Sequence, residues 1–139
     1  MKFLLSSAVF AAAVVAAVPA FAQAGKPAKT ASGLVYQSLQ EGTGASPTAN
    51  DTVKVQYRGT LAKGGKEFDS SYSRGQPAEF PVSRVIPCWT EGLQRMKVGG
   101  KAKLTCPPEI AYGSKGVGGL IPPDSTLEFE VELLEVKGR

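Results

Sequence analysis

Between Leu127 and Leu133 the chain reads Leu-Glu-Phe-Glu-Val-Glu-Leu, apolar at every odd position and glutamate at every even one. A helix of 3.6 residues per turn would scatter those glutamates around its circumference, whereas a strand gathers them on one face. The segment therefore predicts an antiparallel strand with one face on a core and the other in water. Val53, Val55 and Tyr57 alternate in the same way with Lys54, Gln56 and Arg58, and Ala102, Leu104 and Cys106 with Lys101, Lys103 and Thr105. Leu34, Tyr36 and Ser38 follow less cleanly against Val35, Gln37 and Leu39. Basic and acidic outer faces can then pair across strands.

Only Pro87 to Lys97 reads as a helix. Trp89, Leu93 and Met96 fall at i, i+4 and i+7, Pro87 suits a first helical turn, and Gly99-Gly100 supplies a stop. Gly92 in its interior costs about 1 kcal/mol relative to alanine, so packing on the sheet must hold so short a helix. Helix and sheet share one core, which makes the architecture α+β. By periodicity alone the Trp89 stripe reads as ordinary core.

The chain has 139 residues, 42% hydrophobic and 20% charged, which fits one globular domain. Lys2, the apolar run Phe3 to Val18 and the small residues of Ala20-Phe21-Ala22 read as a signal peptide over residues 1–22, cut after Ala22. Residues 23–31 read as a flexible leader and 32–139 as the folded domain, with no membrane span after processing. The leader is too short and polar for a dimerisation helix, so a monomer is expected. The product belongs in the periplasm or outside the cell. There Cys88 and Cys106, the whole cysteine complement, form either a disulfide or two buried thiols, a choice that spacing alone does not make. Two thiols without histidine are not a usual zinc set, and neither metal nor cofactor is expected.

The formal net charge of +4 drops by one with the loss of Lys2, and the basic residues are scattered, so nucleic acid is a poor partner. The glycine-rich run Ser114 to Gly119 lacks the Lys-Ser/Thr ending of a phosphate-binding loop and leads into Leu120-Ile121-Pro122-Pro123. With no histidine anywhere, the usual proton shuttle is missing too. Chemistry here has to work through apolar surface. Phe68-Asp69-Ser70-Ser71 and Ala111-Tyr112-Gly113 read as loop segments, where sites on a rigid scaffold usually lie.

The ordered series Val53-x-Val55-x-Tyr57-x-Gly59, Phe68-Asp69-Ser70-Ser71, Val85-Ile86-Pro87-x-Trp89, Ala111-Tyr112-Gly113, Ile121-Pro122-Pro123 and Leu127-x-Phe129-x-Val131-x-Leu133 resembles the FKBP-type peptidyl-prolyl cis-trans isomerases. Ser32-Gly33-Leu34 and Gly42-Thr43-Gly44 are similar to the bacterial exported, Mip-like branch. The resemblance covers nearly all of residues 32–136. It implies a curved antiparallel sheet wrapped around one short helix, with a substrate pocket between them. The implied walls are Tyr57, Phe68, Val85, Ile86, Tyr112, Ile121 and Phe129, with Trp89 as floor and Asp69 and Arg74 as the polar pair at the edge. Asp69 and Tyr112 are the implied catalytic pair, and the Ile86 amide and Tyr112 hydroxyl bind ligand carbonyls.

The implied activity is rotation about Xaa-Pro bonds of exported proteins, with proline-containing or unfolded polypeptides as partners and macrolides of the rapamycin and tacrolimus type as inhibitors. The alternative is a module, or periplasmic chaperone, that binds such segments without catalysis. Three positions depart from the family pattern. Ala78 replaces a common aromatic and opens the pocket on that side, Val117 stands where some members have histidine, and Cys88 replaces a common glycine. The loop from Ser114 to Leu120 is too short to hold the chaperone insertion of some relatives.

Overall fold

The computed structural model describes residues 25–137, so the signal peptide read over residues 1–22 lies outside the described residues. Seven strands form one antiparallel sheet: β1 (Ala28–Lys29), β2 (Val35–Gln40), β3 (Thr52–Leu61), β4 (Glu67–Ser70), β5 (Ala78–Pro81), β6 (Lys101–Cys106) and β7 (Leu127–Val136). The order is β1-β2-β6-β7-β3-β4, and β5 pairs with the first half of β3, on the edge that β4 pairs along its second half. Ala28 and Lys29, in the segment expected to be a flexible leader, pair with Tyr36 and Val35 at the sheet edge.

The alternation in the sequence becomes two faces. Leu127, Phe129, Val131 and Leu133 on β7, Val53, Val55 and Tyr57 on β3, and Ala102, Leu104 and Cys106 on β6 are all buried. Opposite them the charged residues pair across strands: Lys103 faces Glu130 in register, and its Nζ lies 3.7 Å from Glu128 Oε2. At the end of β7 the period slips, with Val136 buried and Glu135 exposed. The cause is an extra residue in β7: Glu135 pairs with Lys54 and Leu133 with Val55, so Leu134 has no partner in register and the period shifts by one residue.

Helix α2 (Pro87–Gln94) packs across this inner face with Cys88, Trp89, Gly92 and Leu93 buried, and Met96 just beyond it is buried as well. Each of the three large side chains in that stripe contributes about 1.5–3 kcal/mol by leaving water, more than an eight-residue helix holds on its own. Gly92 permits the close approach, since a Cβ there would stand 2.8 Å from Leu104 Cδ1. The helix ends three residues before the expected Lys97, because Arg95 and Met96 donate to the carbonyls of Gly92 and Leu93 and tighten the last turn to 3-10 geometry.

Three further elements were not expected. Phe68-Asp69-Ser70, expected in a loop, belongs to β4, and Phe80 lies on β5. A single helical turn, α1 (Ser71–Arg74), follows β4: the Ser70 hydroxyl accepts from the amides of Tyr72 and Ser73, and Gly75 stops the turn at φ 78°. Cys88 at the start of α2 is joined to Cys106 at the end of β6, their Cα atoms 5.8 Å apart. Among the described residues no helix is long and apolar enough to cross a membrane.

Candidate functional site

Between α2 and the sheet a cavity of about 450 Å³ opens to the surface. Its base is Trp89, only 4% exposed. Three rings meet the indole edge-on: Tyr57 at 5.1 Å between centroids, Phe129 at 5.3 Å and Phe80 at 5.4 Å. The indole N–H is buried with no hydrogen-bond partner among the described residues, a cost of about 1–3 kcal/mol. Three perpendicular ring contacts, worth about 0.5–1.5 kcal/mol each, offset it. Phe68 extends the wall by packing edge-on against Phe129 at 5.6 Å. Gly59 makes room for that pair, since a Cβ there would stand 2.7 Å from Phe68 Cζ and 2.8 Å from Phe129 Cε1.

One wall is polar. The Tyr57 hydroxyl donates to Asp69 Oδ2 at 2.5 Å and accepts from Arg74 Nη2 at 2.8 Å, while Arg74 Nη1 donates to Asp69 Oδ1 at 2.6 Å. β3 delivers Tyr57, β4 delivers Asp69, and α1 turns the chain so that Arg74 comes back to both. Ser71 locks that turn to β3 by accepting from the Tyr57 amide at 2.8 Å and donating to Gln56 Oε1 at 2.5 Å. Burial acts to raise the Asp69 carboxyl, but the hydrogen bonds from Tyr57 and Arg74 outweigh it and hold the group below its ordinary range. Burial first, and then donation to Asp69, pushes the Tyr57 hydroxyl above its ordinary value. Burial likewise raises Tyr112, with the charge of Asp69 adding to it.

Val85, Ile86 and Tyr112 complete the lining, and Tyr112 remains 41% exposed at the mouth. Two expected site residues are not in the lining itself. Arg74 holds the polar wall from outside the lining, and Ile121 is buried beside a separate cleft, where its backbone pairs with Val117. That pairing closes the glycine-rich loop on itself. Two lining residues were not expected, Phe80 and Arg84. Phe80 covers the side that Ala78 was expected to leave open, stacking edge-on with Tyr57 at 5.8 Å. The in-and-out pattern of Ala78 to Pro81 was its only sequence signal, and nothing in the sequence marks Arg84.

Residues 44–134 match the family described as FKBP-type peptidyl-prolyl cis-trans isomerase. The chain belongs to that family. Its FKBP-type relatives include FkpA of Escherichia coli (strain K12), 59% identical over 113 residues that make up 81% of this chain and 41% of FkpA. The peptidyl-prolyl cis-trans isomerase Mip of Coxiella burnetii is 51% identical over 107 residues, 77% of this chain and 46% of Mip. The crystal structure of FkpA from Escherichia coli aligns with a TM-score of 0.76 at 57% identity, covering 80% of this chain and 51% of that one. The fold is thus FKBP-like, and the chain is similar to the FkpA and Mip types. It spans less than half the length of these two curated FKBP-type relatives.

Proposed function

We propose that this chain is a peptidyl-prolyl cis-trans isomerase that accelerates rotation about Xaa-Pro bonds in exported polypeptides. The observation that carries this reading is an apolar cup based on Trp89 whose polar atoms lie on one wall and at its mouth. Amide resonance sets a barrier of about 18–20 kcal/mol, and uncatalysed turnover takes tens of seconds or more. In the twisted transition state that resonance is lost and the carbonyl is less polar. A dry aromatic cup therefore raises the planar ground state more than the twisted state, which lowers the barrier.

The remaining groups select one twisted geometry. The Ile86 amide and the Tyr112 hydroxyl hold substrate carbonyls, and Asp69, fixed by Tyr57 and Arg74, sets a negative charge against the rotating bond. Tyr57, Phe68, Val85, Trp89 and Phe129 take the proline ring. No proton changes hands, so a chain without histidine is equipped for the reaction. The Cys88–Cys106 bridge suits the oxidising periplasm or exterior to which the segment read over residues 1–22 would direct it. The same cup takes macrolides of the rapamycin and tacrolimus type.

The test is NMR exchange spectroscopy on short Xaa-Pro peptides, with tacrolimus as competitor. Catalysed exchange that tacrolimus abolishes supports the reading. Peptide binding without any gain in exchange rate at micromolar protein replaces it with a non-catalytic binding module.

A further inference from the structure

Two charged residues line the aromatic cavity, Asp69 and Arg84, and their surroundings differ. Asp69 has partners where it stands, an ion pair with Arg74 at 2.6 Å and a hydrogen bond from the Tyr57 hydroxyl at 2.5 Å. Arg84 ends the 3-10 turn Val82–Arg84, exposed, two residues before Ile86. Among the described residues its side chain makes no hydrogen bond, ion pair or ring contact, whereas Arg58, Arg74 and Arg95 each hold a carboxylate. The lining therefore includes an arginine whose charge no neighbouring side chain balances.

A guanidinium offers a planar fork of donors that matches a carboxylate, and beside an apolar cavity its charge is screened less than in open water. An extended polypeptide advances about 3.3–3.6 Å per residue, so a chain whose carbonyl meets the Ile86 amide carries its next side chains past Arg84. We propose that Arg84 is a specificity-determining residue that binds the carboxylate of an aspartate or glutamate within two positions of the isomerised proline. The preferred substrates are then acidic Xaa-Pro segments. This inference rests on the isomerase reading and narrows its substrate class.

The experiment compares peptides that carry glutamate, glutamine or lysine at each of the two positions on either side of the proline, read by NMR exchange. At low salt the wild type turns over at least one glutamate peptide about two- to five-fold faster in kcat/KM than its glutamine twin, the range for an exposed ion pair. Added salt erodes the ratio. Arg84→Met brings it to one, and Arg84→Glu inverts it towards lysine. Equal turnover of glutamate and glutamine peptides at every position overturns the inference, as does a glutamate preference that survives in Arg84→Met; in both cases the isomerase reading stands. If no peptide is turned over, it is the isomerase reading that fails. Trp89 fluorescence titrations with the same peptides then decide the role of Arg84: a glutamate preference lost in Arg84→Met supports it, and equal affinities overturn it.

Discussion

A disulfide between Cys88 and Cys106 ties the first turn of α2 to the last residue of β6. Trp89, the pocket base, follows one end of the tie, and the segment leading to Tyr112 follows the other. Both cysteines are fully buried. A bridge across 18 residues stabilises by about 3 kcal/mol in the chain-entropy account. The double variant Cys88→Ala/Cys106→Ala is expected to lose about that much in denaturant unfolding. The untreated protein, denatured without reductant and alkylated, should take up no label, and two labels by mass would contradict the bridge.

Gly59 owes its identity to the wall it permits. Gly59→Ala pushes a methyl into the Phe68–Phe129 ring pair, neither ring of which is a flexible chain end. The expected cost is about 1–3 kcal/mol of stability, as for overpacking elsewhere. Isomerase activity should fall with it, because the displaced rings are the cavity wall. Thermal unfolding alongside a rate assay checks both.

Much of this fold was legible because half-buried strands write their two faces into the chain, as Leu127 to Leu133 does. β4 and β5 are too short for alternation to stand out, yet Ser70 and Gly75 bracket α1 as cap and stop. The aromatic cup was legible through ordered motifs rather than through periodicity. The setting of Ile121 depends on how the loop pairs with itself at Val117, a tertiary fact that the sequence does not display. Arg84 left no trace because an exposed arginine in a turn looks like any solvated charge.

The polar wall should matter to rate more than to folding. Asp69→Ala leaves the Tyr57 hydroxyl and Arg74 Nη1 without their acceptor, and kcat/KM is expected to drop about tenfold, given that the Asp69 side chain is 40% exposed. Tyr112→Phe removes one donor at the mouth and should cost about five- to tenfold. Wild-type rates for both variants would mean that Asp69 and Tyr112 serve only local structure.

Activity should be flat between about pH 6 and 9. Asp69 titrates below the ordinary carboxylate value near 3.9, Tyr57 and Tyr112 titrate above the ordinary tyrosine value near 10, and the sequence has no histidine. The same shift sets the sign for stability. Because the folded Asp69 is more acidic than the unfolded one, its contribution is present above about pH 4 and is lost as pH falls through the folded value. A bell-shaped rate profile centred near neutrality would contradict this assignment.

Rotation without proton transfer is read most directly from catalysed cis-trans exchange measured by NMR on one Xaa-Pro peptide in H2O and in D2O. The expected result is an exchange rate well above background and equal in the two solvents. No acceleration, or a catalysed rate that slows two-fold or more in D2O, would contradict an apolar cup that works by twisting the amide alone.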